Sequence, residues 1–215
     1  MPESAPVPST ASAPAAAFAA PSASASISPG ATAADTPHLI CLGLNYRTTP
    51  VEVRERVAFP ESKVPDAVQQ VRALPGFAES VVLSTCNRVE IYATHQHADP
   101  RAAHQTLIDY LTTHFALSDS QAQALVTYKL TTTDAARHLF RVVSGLDSMV
   151  LGETEIFGQV KAAYKVALDT GATGRALNKL FQQAFTVGKK VRNDTTIQRG
   201  STSVGSVAVD LAEKV

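Results

Sequence analysis

Val81-Val82-Leu83-Ser84-Thr85-Cys86-Asn87-Arg88-Val89-Glu90-Ile91-Tyr92-Ala93 holds two short apolar runs with five polar positions between them. Each run is too short for a helix and reads as a strand. Upstream, Pro75-Gly76 stops a helix that follows Pro60, with Glu61 in its first turn. That helix sets Val64, Ala67, Val68, Val71 and Leu74 at helical spacing. A shorter helix is expected from Val51 to about Phe59, after the polar turn Tyr46-Arg47-Thr48-Thr49-Pro50. Before that turn, His38-Leu39-Ile40-Cys41-Leu42-Gly43-Leu44 is a first strand, bounded by Pro37 and Asn45. Downstream, a helix from about Pro100 to Phe115 puts Ala103, Leu107, Leu111 and Phe115 on one face. After Ser118-Asp119, a short helix passes into a fourth strand, Leu125 to Leu130.

The order strand, helix, strand, strand, helix, strand predicts an α+β fold. A four-stranded antiparallel sheet with helices on one face satisfies it, as in ferredoxin-like folds. From Thr133 the pattern is helical only. Ala136, Leu139, Phe140 and Val143 form one stripe, ended by Gly145. Ile156, Val160, Tyr164 and Ala167 form a second, with Gly171 and Gly174 at its exit. Leu177, Leu180, Phe181, Ala184, Val187 and Val191 form a third. This predicts a small helical bundle appended to the sheet. A last stripe, Val204, Val207, Ala208, Leu211, Ala212 and Val215, keeps its period to the final residue. It reads as the start of a long helix cut short.

Composition bounds the rest. Of 215 residues, the first 37 include 13 Ala, 7 Ser, 7 Pro and 3 Thr. So little bulk cannot offset the entropy of ordering, and 1–37 is expected to be a disordered tail. The tail lacks the features of a secretory signal and the arginines of a transit peptide. The balance of 19 basic against 19 acidic residues excludes a globally basic nucleic-acid binder. No apolar run is long enough to span a membrane. Two cysteines make neither a disulfide framework nor a zinc site, so a reducing cytoplasm is the expected setting. His95, His97, His104 and His114 have no cysteine beside them, and solvated histidines explain them better than a metal.

Cys86 carries the chemical interest. A thiol with an ordinary pKa is only slightly ionised at neutral pH, and a nearby guanidinium would raise the thiolate fraction. In extended backbone, Arg88 would share the side of Cys86. Arg88 could also clamp a substrate carboxylate. The plainer reading of Cys86 is a small buried hydrophobe, and Cys41 is assigned to the core on that ground.

The run Ser84 to Tyr92 resembles the active-site segment of the glutamyl-tRNA reductases. So do Gly43 to Val51 with Arg54-Glu55-Arg56, His138 to Glu153, Gly158-Gln159-Val160-Lys161 and Val187 to Arg192. The resemblance covers about residues 39–215 in order. It implies NADPH-dependent reduction of glutamyl-tRNA to glutamate-1-semialdehyde through a cysteinyl thioester on Cys86, the first step toward 5-aminolevulinate and tetrapyrroles. It further implies that Thr85, Asn87 and Arg88 line the substrate pocket, with Arg88 reading the glutamate carboxylate. Ser148, Glu153 and Gln159 match substrate-contact positions. Thr154 and Glu155 stand between them, Glu155 where many members have glutamine. Arg88 and Glu153 have the right signs for a γ-carboxylate and an α-ammonium, although Glu153 also suits a helix N-terminus.

Leu130 stands where many members carry a histidine, and no Gly-x-Gly-x-x-Gly turn follows a strand. The resemblance places the NADPH domain after the last helix, followed by a dimerisation domain. Residues 38–200 are therefore expected to be the catalytic domain and 201–215 the start of a linker helix. A homodimer, and an aminomutase receiving the semialdehyde, are the implied partners. The alternative is a non-catalytic glutamyl-tRNA binding or regulatory remnant. Arg175, Lys179, Lys189, Lys190, Arg192 and Arg199 read either as a solvated face or as a contact for the tRNA backbone.

Overall fold

A computed structural model describes residues 37–96, 99–125, 127–199 and 203–213. The tail expected over 1–37 lies outside the described residues up to position 36, as do His97 and Val215. Four strands form the sheet: β1 His38–Asn45, β2 Phe77–Ser84, β3 Arg88–His95 and β4 Tyr128–Thr131. Among the described residues the helices are α1 Val51–Arg56, α2 Val64–Arg72, α3 Pro100–His114, α4 Asp119–Ala124, α5 Thr132–Val143, α6 Glu155–Asp169, α7 Arg175–Asp194 and α8 Val204–Ala212. A 3₁₀ turn, Glu61–Lys63, leads into α2. No helix of the described residues is long and apolar enough to cross a membrane.

The sheet order is β2-β3-β1-β4, and every pairing is antiparallel. This is the expected α+β arrangement. Its two faces are told apart at adjacent residues of β2, which point to opposite sides. Ser80 Oγ donates to the Val68 carbonyl of α2 at 2.7 Å. Glu79 instead accepts backbone N–H bonds from the start of α7. α3 joins α2 on the first face, where the Tyr110 hydroxyl donates to Gln70 at 3.0 Å. α5 and α7 lie on the second, where His138 meets Glu90 and Phe181 packs edge-on against Tyr92.

The bundle is thus not an appendage. It covers the sheet face that the ferredoxin-like half leaves open, because all eight residues of β3 are buried and both faces need cover. Gly43 shows how closely the second face is packed. A Cβ there would sit 2.4 Å from the Tyr128 ring, so the ring lies where a side chain would be. α1 ends at Arg56, earlier than expected, and Phe59 before Pro60 is buried with its N–H on Ser84 Oγ at 2.9 Å.

Candidate functional site

The link between β2 and β3 is a tight turn, not extended chain. Thr85 N–H donates to the Arg88 carbonyl at 2.8 Å, and Thr85 Oγ1 accepts from the N–H groups of Asn87 and Arg88, each at 3.2 Å. Cys86 stands at the tip, exposed. Cys41 is fully buried in β1, where burial and then the Glu90 charge push its thiol up and keep it protonated. Cys41 is thus the core residue expected, whereas Cys86 is accessible and departs from the plainer reading of a small buried hydrophobe.

Two further segments reach this turn. In the Tyr46–Thr49 turn, Asn45 Oδ1 accepts from Arg47 N–H at 2.9 Å, and Arg54 of α1 donates to the Thr49 carbonyl at 2.8 Å. Tyr46 N–H then donates to the Asn87 carbonyl at 2.9 Å. The loop from Gly145 to Thr154 is closed by the Gly152 N–H on the Gly145 carbonyl at 3.0 Å. Both glycines have positive φ, and a Cβ on Gly152 would fall 2.0 Å from the Ile197 carbonyl oxygen. The Tyr46 hydroxyl donates to the Ser148 carbonyl of this loop at 3.2 Å.

Arg88 does not sit beside Cys86 at the surface. It leaves the turn as the first residue of β3 and is buried, with 1 % of its surface exposed. Nη1 lies 2.7 Å from Glu90 Oε1 and 3.3 Å from Asp147 Oδ2, and Nη2 donates to the Asp147 carbonyl at 2.7 Å. Glu90 also accepts from the hydroxyls of Tyr92 at 2.6 Å and Tyr128 at 2.5 Å. His138 Nε2 is 2.9 Å from Oε1 and must donate, since an ionised carboxylate only accepts. Burial works to raise the Glu90 pKa, but the Arg88 charge, the His138 contact and Tyr128 outweigh it and hold the carboxyl well below the usual range. Burial likewise raises the Tyr92 and Tyr128 phenols, helped by the Glu90 charge.

Of the remaining expected site residues, Ser148 is buried; its carbonyl accepts from Tyr46, and its Oγ has no partner among the described residues. Glu153 is half-buried at the end of the loop. Thr154 caps α6 by position without a side-chain bond, Glu155 lies in the first turn, and Gln159 follows one turn later. Among the described residues the side chains of these four make no hydrogen bond or ion pair to protein. Leu130 lies in β4 opposite Cys41, and no imidazole replaces it on that strand. The nearest histidine to its backbone is His104, whose Nε2 is 3.2 Å from the carbonyls of both Leu130 and Cys41.

Glu90, Asp147, Tyr128 and His138 were not assigned roles from sequence. The available signal was a lone carboxylate inside the apolar run Val89 to Ala93, which has to be paired if buried. Two histidines expected in solvent are buried: His104, as above, and His95, which packs edge-on against Phe77. Among the described residues no group of three or more His, Cys, Asp or Glu is placed to hold a metal. Arg192 also leaves the expected solvated face. Its guanidinium lies 4.4 Å from the Phe157 ring centroid and donates to the Val143 carbonyl at 3.4 Å.

A family profile described as "Glutamyl-tRNAGlu reductase, N-terminal domain" matches residues 42–195. A glutamyl-tRNA reductase of Akkermansia muciniphila is 53% identical over 180 residues, covering 82% of this chain and 51% of that protein. One from Pelotomaculum thermopropionicum is 44% identical over 176 residues, covering 82% of this chain and 39% of that protein. The solved glutamyl-tRNA reductase from Methanopyrus kandleri superposes with a TM-score of 0.64 at 35% identity, over 82% of this chain and 39% of that one. The chain spans about half, or less, of the length of these relatives.

Proposed function

This chain belongs to the glutamyl-tRNA reductase family, whose N-terminal domain it carries, and from that premise we propose that it takes glutamate from glutamyl-tRNA onto the thiol of Cys86. The observation that carries this reading is the exposed cysteine at the tip of a turn braced by Thr85. The Cys86 thiolate attacks the ester carbonyl. A C–S bond forms, the C–O bond to the terminal ribose breaks, and the ribose oxygen leaves with the electron pair and collects a proton. The product is a glutamyl thioester and free tRNA. Sulfur suits this step because thiolates are strong nucleophiles near neutral pH. The thioester is then the intermediate toward glutamate-1-semialdehyde and the tetrapyrroles.

NADPH does not fit the described residues. A dinucleotide is cradled where a parallel strand turns into a helix, whereas every strand pair here is antiparallel. No hydride step is assigned to these residues, and the NADPH-dependent reduction is proposed for the complete enzyme only. For that enzyme we expect a homodimer that passes the semialdehyde to an aminomutase. A reducing cytoplasm is the proposed setting, since the mechanism needs a free thiol and both cysteines are free. Residues 38–200 are proposed as the acyl-transfer unit and 201–215, which include α8, as the start of the linker helix.

Substrate reading by Arg88 needs an exchange. Its guanidinium already meets Glu90 and Asp147, so adding a γ-carboxylate would leave one buried cation among three anions. Asp147, at 3.3 Å and on a loop, is the partner that a substrate carboxylate would replace. Glu153, Thr154, Glu155 and Gln159, with uncommitted side chains at the foot of the same loop, are proposed to receive the α-ammonium end.

The test is incubation of the protein with glutamyl-tRNA and no reductant, followed by intact mass. Wild type gains one glutamyl group on Cys86 and Cys86→Ser gains none. A second reading, tRNA binding without chemistry, is favoured by Leu130 in place of the family histidine. It predicts bound tRNA and an unmodified thiol, so the same measurement decides.

A further inference from the structure

Tyr46 and Arg47 form a hydrogen-bonded pair at the edge of the site. Arg47 Cζ lies 5.3 Å from the Tyr46 ring centroid, and its Nε donates to the Tyr46 hydroxyl at 2.8 Å. The pair is held from three sides: Tyr46 N–H on Asn87, the Tyr46 hydroxyl on the Ser148 carbonyl, and Arg47 Nη1 at 3.6 Å from Asp147. Even so, 54% of the Arg47 side chain is open to solvent. Met149 and Leu151, on the loop that Tyr46 touches, are exposed at 45% and 61%. An aromatic–guanidinium pair is therefore left partly uncovered, with exposed apolar residues on the loop it touches and Tyr46 bonded to Asn87, the residue after the nucleophile.

Unpaired RNA bases are held on such surfaces, stacked on aromatic rings or guanidinium planes. The acyl-transfer reading, on which this inference rests, puts a nucleoside here by geometry. The leaving group at Cys86 is the ribose of the tRNA's terminal adenosine, so its base must lie within one nucleoside's reach of the thiol. We propose that the Tyr46–Arg47 pair is the seat of that terminal adenine. Met149 and Leu151 complete the seat from the facing loop. Asp147 contacts both Arg47 and Arg88, so its release from Arg88 by the glutamyl carboxylate leaves it to Arg47 and ties the nucleoside seat to the carboxylate site.

The test compares two acyl donors in single turnover, followed by intact mass at Cys86: glutamyl-tRNA, and glutamate α-benzyl thioester, which carries no nucleotide. The preference for glutamyl-tRNA over the thioester falls at least tenfold in Arg47→Ala. It falls comparably in Arg47→Lys, which keeps the charge and loses the plane. Adenosine 5′-monophosphate slows acylation of wild type by glutamyl-tRNA and leaves Arg47→Ala indifferent. An unchanged preference, or equal losses with both donors, overturns the seat and leaves acyl transfer standing. Wild type that accepts glutamate from neither donor overturns both.

Discussion

Glu90 is a fully buried carboxylate with four donors, and removing its charge leaves Arg88 one anion short. In Glu90→Gln the Arg88 guanidinium stays buried with Asp147 as its remaining anion. Breaking a buried pair on one side costs about 3–5 kcal/mol, and urea unfolding at neutral pH should read a loss of that order. The pH dependence has a definite sign. The Glu90 pKa is lowered on folding from its ordinary 4.5, so its contribution is complete above that value and is lost as pH falls through the lowered one. Wild type therefore loses stability on acidification below about pH 4.5, while Glu90→Gln loses less over the same range. Equal acid limbs in the two proteins would refute this. The polar link around Cys86 was legible in sequence because polar residues between two apolar runs have to join them, but the exposure of the thiol was not, since a free cysteine is more often a small buried hydrophobe. The burial of Arg88 was not, because that reading took the chain as extended through Asn87. Nor were Tyr128 and His138, which reach Glu90 from β4 and α5 at separations of 38 and 48 residues, or Asp147, which reaches Arg88 from the 145–154 loop at 59. No local spacing encodes such contacts.

Elements follow their periods more faithfully than their ends. The stripes of α2, α3 and α6 are where the apolar spacing puts them, while α5 buries Ala135 and Val142 rather than Ala136 and Phe140, and α7 buries Gly188 rather than Val187. β2 begins at Phe77, four residues before its apolar run, because Ala78, Glu79 and Ser80 do not look like strand and the pairing shifts register between Phe77 and Glu79. β4 is Tyr128–Thr131, later than the expected Leu125 to Leu130, and Leu125 is buried without belonging to it. The start of α7 hides a larger lesson. Gly174 at its N-cap position offers no side chain, and Glu79 supplies the cap from β2. Its carboxylate accepts from Gly174 and Leu177 N–H at 2.8 Å each and from Ala176 N–H at 3.1 Å. A negative group there also meets the positive end of the helix. Glu79→Ala should cost about 2 kcal/mol, the upper range for a lost cap, and Glu79→Gln about half of that. Urea midpoints measure both, and an Ala variant as stable as wild type would show that water replaces the carboxylate.

At the scale of the whole molecule, equal numbers of acidic and basic residues deny the protein a long-range pull on RNA, so any grip on the tRNA body has to be local. α7 is the place proposed for it. Arg175, Lys179, Gln182, Thr186, Lys189 and Asn193 recur every three or four residues, and all six are exposed. Leu177, Phe181, Ala184 and Gly188 turn to the core on the other side. The stripe runs about 30 Å at helical rise and contains no carboxylate. Lys190 lies at its margin and is engaged by Asp194, while Arg192 is folded onto Phe157. Each phosphate contact releases a counterion, so the slope of log affinity against log salt falls by roughly 0.7–0.9 per cation removed. The double variant Lys179→Ala, Lys189→Ala should therefore lower the slope for tRNA binding by about 1.5, as read by fluorescence anisotropy over a salt series. Lys165→Ala, on α6 and paired with Asp169, should leave the slope unchanged. If the double variant keeps the wild-type slope, α7 is a solvated face and the tRNA body is held elsewhere.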